Sequence, residues 1–170
     1  SIITRKSIVC ATEGFAEYNG KRYEFHPEKH FGTLDWGRGV WTYDKLGNGV
    51  PELDVDGHAF GFNIGYGFGN TKAASENVIF YDGVAHKIDD VTFVIPEDDY
   101  CKRGNSLPVT EDLRWILCRF WTDPHVWIIT DRIDQHQVFG RMSGTTVLDD
   151  GTKVEIKDVL CFAEKVHNRY

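Results

Sequence analysis

Large and small side chains alternate without interruption along residues 58–69, and this period of two predicts a β-strand. The even positions carry mostly aromatic groups, whereas the odd positions are almost bare, with Asn63 as their polar side chain. A bare strand face is typical of a place where another backbone, a bulky side chain or a ligand comes close. The large face is interpreted as core or, alternatively, as the wall of an apolar ligand pocket. Its aromatic members are Phe60, Phe62, Tyr66 and Phe68.

Turn sequences predict three β-hairpins. Asn19-Gly20 and Asp82-Gly83 are strong hairpin signals because both residues of each pair accept a positive φ, and a third turn is predicted at residues 149–151. The predicted strand pairs are residues 8–18 with 21–26, 76–81 with 84–88, and 138–148 with 152–156. The two-residue loops set Glu17 opposite Arg22, Ala16 opposite Tyr23 and Ile79 opposite His86.

Further segments complete the predicted fold. Residues 30–41 predict a strand that runs to residue 43, and residues 91–95 predict a strand that a proline ends. Residues 45–56 contain Gly47, Gly49 and Pro51 and are predicted to form a loop. Residues 159–167 fit a strand or a short helix, and the strand is preferred. With about eight strands and no long amphipathic helix, the chain is predicted to be all-β, an antiparallel barrel or sandwich.

Composition and charge narrow the class of protein. The 170 residues fit a single domain. The net charge of −7 argues against a nucleic-acid partner, which needs a basic patch. No apolar run reaches the length of about 18 residues that a membrane span needs, and the first residues lack the apolar segment of a signal peptide. The four cysteines show no CxxC spacing, which favours reduced thiols in a cytoplasmic protein with no metal and no other cofactor.

Residues 30–41 gather most of the candidate chemistry. On a strand, Asp35 lies on one face and Trp36 and Arg38 lie on the other. Asp35 is a candidate catalytic residue, acting as a general acid or base. The alternative is a buried Asp35–Arg38 ion pair that fixes the strand register or caps the barrel, with Trp36 filling the core. As ligand contacts, Trp36, Trp41 and the aromatic face of residues 58–69 are predicted to form an apolar wall. Asp35, Arg38 and Asn63 are predicted to form the polar contacts.

Other polar residues add candidates to this set. Glu76 is a catalytic candidate with His86 across its hairpin, or it accepts hydrogen bonds from loop amides instead. His136 lies between two glutamines and is a catalytic candidate or, alternatively, a member of a buried hydrogen-bond network. His30 is a ligand-binding candidate, but its spacing from His26 across a proline does not favour a metal site. Tyr66, Asn77 and His86 complete the predicted ligand-binding set.

Five segments together resemble one protein family. They are residues 30–41, residues 61–69, Ser75-Glu76-Asn77, residues 134–140 and residues 162–169. Their combination resembles DUF2804, a family of uncharacterised and mostly bacterial proteins. More distantly, the pattern is similar to lipocalin-like proteins of the hydroxyneurosporene-synthase and AttH type. The resemblance implies a lipocalin-like (calycin-like) antiparallel barrel or a strongly curved sheet. It also implies that this chain is the C-terminal half of a longer two-barrel protein.

Residues 102–130 depart from the family pattern. The family would have a tryptophan followed by a polar strand that ends in Asp-Arg, whereas this segment carries three tryptophans and a cysteine at other positions. Codons chosen freely for residues 105–116 can be read in a shifted frame as a sequence close to the family pattern. The segment is therefore hypothesised to be translated out of frame. A corrupted pair of strands would leave a sheet edge open and favour self-association.

The sequence is compatible with three functions. The first is a binding module for an apolar or amphipathic small molecule. The second is an acid–base enzyme, a hydratase or isomerase of a lipid- or isoprenoid-like substrate, which the more distant resemblance implies by analogy. The third is a purely structural role for the residues around Asp35. Whether the protein is an enzyme is left open.

Overall fold

The computed structural model describes residues 3–39, 44–67, 70, 72–88, 91, 93, 113–122 and 133–168. Eleven β-strands lie in these residues, and every strand pair is antiparallel. The all-β antiparallel class predicted from the alternation and the turns is therefore confirmed. Within the described ranges there is no helix long and apolar enough to cross a membrane.

The strands form one large sheet and two ribbons. The large sheet has seven strands in the order β8-β7-β6-β5-β11-β10-β9, and the two-stranded ribbons are β1–β4 and β2–β3. The strand bounds are β1 Ile3–Ala11, β2 Gly14–Tyr18, β3 Lys21–Phe25, β4 Phe31–Arg38, β5 Asp44–Val55, β6 His58–Tyr66, β7 Val78–Tyr81, β8 Val84–Lys87, β9 Leu113–Thr122, β10 Ile133–Val147 and β11 Lys153–Asn168.

The three predicted hairpins are present. Both residues of Asn19-Gly20 and of Asp82-Gly83 have positive φ, between 48° and 79°, as a two-residue hairpin turn requires. The predicted pairs of Glu17 with Arg22, Ala16 with Tyr23 and Ile79 with His86 are all found in the register. The third hairpin, β10–β11, is longer than predicted, and residues 159–167 belong to its second strand.

The prediction of a loop at residues 45–56 is wrong, because β5 runs through them at the centre of the large sheet. Gly47 and Gly49 pair on one side with Gly65 and Asn63 of β6, so their missing side chains do not prevent strand formation. Pro51 lies in the irregularity between Val50 and Leu53, where the register shifts. A proline is tolerated at such a bulge because no ladder hydrogen bond needs its nitrogen.

Two other predicted strands differ from the structure. Residues 8–18 do not form one strand, because β1 ends at Ala11 and β2 begins at Gly14, whose φ is 120°. The Thr12 amide at this break donates instead to the carbonyl of His30, at 2.9 Å. Val91 and Phe93 are outside strands, and the other positions of the predicted strand at 91–95 lie outside the described residues. Trp41 and the predicted continuation of β4 also lie outside them.

The large face of β6 forms the centre of the hydrophobic core. Phe60, Phe62 and Ile64 are buried, and they cluster with buried side chains of β7, β10 and β11, including Ile79 and Met142. Each side chain of this size contributes about 1.5–3 kcal/mol when it is fully buried. Of the two interpretations of this face, core is the one that the packing of these three residues shows.

The sheet is strongly bent around this core. The amide of Asp149, in the β10–β11 turn, donates to Nδ1 of His86 in β8 at 3.3 Å. In a flat sheet, four strand spacings between β8 and β11 would separate these strands by about 19 Å. The β10–β11 hairpin therefore folds back toward β8. The edge strands β8 and β9 do not pair with each other, so the described strands do not close into a barrel.

The bare face of β6 is covered by the β1–β4 ribbon. Gly61, Asn63 and Gly65 are buried on this face. Strand β1 lies against β5 and β6, and β4 lies against β5. Of the three kinds of neighbour expected at the bare face, the structure shows another backbone, that of β1. The ribbon brings its own side chains to Asn63.

Candidate functional site

Lys6 of β1 joins three of the candidate site residues, Asp35, Asn63 and Glu76. Its ammonium Nζ lies 2.7 Å from Oε2 of Glu76, 3.1 Å from Oδ1 of Asn63 and 3.4 Å from Oδ2 of Asp35. An ammonium has three protons to donate, and these contacts provide three acceptors. We call Lys6, Asp35, Asn63 and Glu76 the lysine cluster.

Strand alternation explains how the ribbon delivers two members of this cluster. Lys6 and Asp35 are direct partners in the β1–β4 register, so their side chains lie on the same face of the ribbon. That face lies over β6, where the small residues on either side of Asn63 leave room for the lysine. The Lys6 side chain is 22% exposed and that of Asp35 is 56% exposed.

Two asparagines position Glu76, the fourth member. Nδ2 of Asn63 donates to the backbone carbonyl of Glu76 at 3.1 Å. Oδ1 of Asn77 accepts the amide proton of Gly65 at 2.8 Å, and Asn77 is fully buried. The chain before β7 is thereby fixed to β6, and the Glu76 side chain, 24% exposed, is held against Lys6.

The charges of the lysine cluster do not balance. Two carboxylates share one ammonium, so the cluster carries a net charge of −1 when all three groups are ionised. Oε2 of Glu76 contacts Lys6, whereas Oε1 is buried and no described group donates a hydrogen bond to it. A buried acceptor without a donor costs about 1–3 kcal/mol. Oε1 of Glu76 therefore keeps an unused acceptor position, which a donor group reaches when the side chains that cover this oxygen move aside.

The buried Asp35–Arg38 pair proposed as an alternative is not formed. Asp35 pairs with Lys6 and is more than half exposed, and Arg38 lies on the opposite face of the ribbon. Trp36 is 51% exposed and does not fill the core. The reason is the orientation of β4, which turns its even positions outward and its odd positions toward the sheet.

The other predicted site residues are dispersed over the fold. Nδ1 of His30 accepts the backbone amide proton of His26 at 2.8 Å, so His30 stabilises its own turn. His86 contacts the β10–β11 turn, with Nδ1 3.2 Å from Oδ2 of Asp149. Tyr66 stacks on Phe93, with 5.2 Å between ring centroids. His136 lies in β10, which β11 and β5 separate from β6. Trp41 lies outside the described residues.

Sequence reasoning missed Lys6 and a second polar group around Asp82. Asp82 Oδ2 lies 2.7 Å from His58 Nδ1, and Oδ1 accepts the amide proton of Ala59 at 3.0 Å. These two hydrogen bonds, the His58 bond first, lower the pKa of Asp82. Burial raises the pKa of the neighbouring Tyr81, with smaller contributions from Asp82 and Asp56. No local pattern marks Lys6, because its partners come from three distant parts of the chain.

No group of three or more His, Cys, Asp or Glu side chains in the described ranges is arranged to hold a metal ion. Fold and site thus define an all-β antiparallel protein whose polar cluster lies between a bent sheet and a two-stranded ribbon. The model of the family described as domain of unknown function (DUF2804) matches residues 2–170, and the chain belongs to that family. The match runs through residues 102–130; the hypothesis that this segment is translated out of frame stays a prediction. Neither the curated proteins nor the solved structures contain a match to the chain.

Proposed function

We propose that the protein binds an amphipathic small molecule whose hydrogen-bond donor contacts Glu76 in the lysine cluster. The observation that carries this proposal is the buried Oε1 of Glu76, to which no described group donates. A hydroxyl or amino group at this position would supply the missing hydrogen bond. The bent sheet of the described strands supports the proposal only in a general way, because a fold alone does not define a function.

The charge of the cluster selects the head group of the ligand. The three contacts of Lys6 occupy its donors, so a carboxylate or phosphate would gain little from the ammonium. The net charge of −1 would repel such an anion. A neutral alcohol or a protonated amine avoids this repulsion, and we infer that the ligand carries one of these groups.

The register suggests where the apolar part of the ligand lies. Asn63, Gly49, Phe162 and Phe139 are successive partners across β6, β5, β11 and β10. Directly opposed residues place their side chains on the same face of a sheet. The two phenylalanine rings, 6.3 Å apart between centroids, therefore lie on the same face as Asn63. Two strand spacings, about 10 Å, separate Asn63 from Phe162, which suits the hydrocarbon part of a small amphiphile.

Calorimetric titration with two ligands of equal chain length tests the head-group proposal. Dodecanol should bind to the protein, whereas dodecanoate should bind much more weakly because its carboxylate meets the excess negative charge. Glu76→Gln should weaken dodecanol binding, because the amide can place an NH₂ group where the acceptor was. Glu28→Gln, in an exposed turn, serves as the matched control. Equal binding of both ligands, or equal loss in both variants, would contradict the proposal.

A second function has its own supporting observation. Asp35 and Glu76 contact the same ammonium, but one side chain is 56% exposed and the other 24%. Two carboxylates in different environments are the usual basis for separate acid and base roles. We infer that a hydratase or isomerase would use Glu76 and Asp35 in these roles. Asp35→Asn should then retain ligand binding but abolish the gain or loss of water, or the double-bond shift, that mass spectrometry and NMR detect on an unsaturated alcohol.

A further inference from the structure

The solvent face of the β1–β4 ribbon carries a second set of chemically distinctive residues. Arg5 is the direct register partner of Trp36, so the two side chains lie on the same face, opposite to that of Lys6 and Asp35. Leu34 and Arg38 lie two positions on either side of Trp36 and share this face. We call Arg5, Leu34, Trp36 and Arg38 the outer ribbon face.

Large apolar area is exposed on this face. Leu34 is 56% exposed and Trp36 is 51% exposed. The indole therefore has the guanidinium of Arg5 beside it on β1 and that of Arg38 further along β4. Single exposed apolar residues are common on proteins, but a leucine and a tryptophan side by side form a patch that can be recognised.

The two arginines are available to a partner. Both are exposed, and neither forms an ion pair with a described residue. Acidic side chains are absent from the outer ribbon face, since Asp35 points to the other side of β4. The face is therefore a local positive patch on a chain whose net charge is −7. Such a patch attracts an anionic partner and repels cationic ones.

The residue types on the outer ribbon face distinguish between two classes of anionic partner, a protein and a membrane. Tryptophan and arginine are the residues most enriched at the energetic centres of protein–protein interfaces. An anionic membrane would gain only about 1 kcal/mol from each of the two arginines, and it would repel the rest of an acidic chain. The observations thus favour a protein over a lipid surface.

We propose that the outer ribbon face binds an acidic segment of a partner protein, with carboxylates on Arg5 and Arg38 and an apolar side chain on Trp36. In an extended segment, alternate side chains lie on one face about 6.8 Å apart. A sequence of the form Glu-Ser-Leu-Ser-Glu therefore presents two carboxylates on either side of one leucine. On the ribbon, Arg5 lies across from Trp36, about 5 Å away, and Arg38 lies two positions along β4, about 6.8 Å away. With the leucine on the indole, each flexible glutamate side chain is within reach of one of the two guanidinium groups.

Fluorescence anisotropy with a labelled Glu-Ser-Leu-Ser-Glu peptide and the full chain tests the proposal. The peptide should bind, and a Gln-Ser-Leu-Ser-Gln peptide should not. Binding should weaken strongly between about 0.1 M and about 1 M salt, over which the Debye length falls from about 10 Å to about 3 Å. Trp36→Ala should weaken binding about tenfold or more, as expected at the centre of an interface.

Charge variants separate a specific contact from general attraction. Arg5→Gln and Arg38→Gln should each weaken binding severalfold, whereas Lys29→Gln, which removes one charge from an exposed turn, should not. Arg38→Lys keeps the charge and tests whether a guanidinium is needed. Urea midpoints of the arginine and lysine variants should equal that of the parent chain, because these side chains are exposed. Trp36→Phe provides a milder change if the alanine variant folds poorly.

Three results would overturn the proposal. The first is absence of peptide binding, or equal binding by the Arg5→Gln, Arg38→Gln and Lys29→Gln variants. The second is binding to phosphatidylserine vesicles but not to the peptide, which would assign the face to a membrane. The third is self-association in sedimentation velocity that Trp36→Ala abolishes, without peptide binding, which would assign the face to a second copy of this chain.

Discussion

Replacing Lys6 with methionine removes the charge at the centre of the lysine cluster while keeping an apolar stem of similar length. The variant leaves Glu76 without its contact at 2.7 Å and leaves Oδ1 of Asn63 without the lysine. Glu76 would then have two partly buried carboxylate oxygens without a described donor. This is the situation in which loss of one partner costs more than the pair itself contributes.

The exposure of the groups sets the size of the expected effect. Breaking a fully buried ion pair costs about 3–5 kcal/mol, and an exposed pair contributes about 0.2–1 kcal/mol. With roughly a quarter of each side chain exposed, the Lys6–Glu76 pair lies between these limits. We expect Lys6→Met to lower the free energy of unfolding by about 1–3 kcal/mol. Asp35→Asn should lower it by about 1 kcal/mol or less, because that carboxylate is mostly exposed and farther from Lys6.

Urea denaturation followed by circular dichroism measures these differences through the midpoint and the slope. Lys29→Met removes the same charge from an exposed turn and is the matched control. The double variant Lys6→Met/Glu76→Gln should be more stable than Lys6→Met alone, because it no longer holds an uncompensated carboxylate. The reasoning is refuted if Lys6→Met is no more destabilising than Lys29→Met, or if removing the Glu76 charge recovers nothing.

Three further predictions concern other parts of the fold. Hydrogen bonds from His58 and the Ala59 amide lower the pKa of Asp82 in the folded state. These bonds therefore stabilise the folded protein at pH values above the unfolded-state pKa of about 3.9. This stabilisation is lost as the pH falls through the lower folded-state pKa. Urea midpoints measured against pH should therefore fall less steeply on the acid side in Asp82→Asn. Phe60→Ala should lower the free energy of unfolding by about 3–5 kcal/mol, against less than about 0.5 kcal/mol for the exposed Val84→Ala, as urea midpoints would show. Asn77→Ala should cost about 1–3 kcal/mol and speed hydrogen exchange of the Gly65 amide in particular, and unchanged exchange there would contradict the role of Oδ1.

The hairpins and β6 could be predicted because their signals are local. Asn19-Gly20 and Asp82-Gly83 form two-residue turns by their own backbone preferences, and the alternation along β6 fixes which face is buried. Strand β5 could not be predicted, since Gly47, Gly49 and Pro51 together are typical of a loop. Their strand conformation depends on pairing with β6 and β11, which come later in the chain.

The candidate site could be predicted only in part for the same reason. Asp35, Asn63 and Glu76 stand out by residue type within unusual local patterns. That they meet depends on the register of β1 with β4, two strands separated in sequence by the β2–β3 hairpin. A shift of that register by one residue would turn Lys6 to the solvent side and Arg5 to the sheet. The order of Arg5 and Lys6 and the hydrophobic pattern along residues 3–11 do not specify which of these two side chains faces the sheet.

The two proposed sites lie on opposite faces of the β1–β4 ribbon. A substitution in the lysine cluster should therefore affect both sites, whereas a substitution on the outer ribbon face should affect only that face. Lys6 connects the ribbon to Asn63 and Glu76, which belong to the large sheet and the chain beside it. The outer ribbon face contacts none of these groups, so Trp36→Ala should leave dodecanol binding to the folded protein unchanged. Lys6→Met loosens the attachment of the whole ribbon, so it should weaken binding at Glu76 directly and peptide binding at Trp36 only as far as the ribbon detaches. If Trp36→Ala instead abolished dodecanol binding, the indole would have to reach the sheet side of β4, contrary to strand alternation.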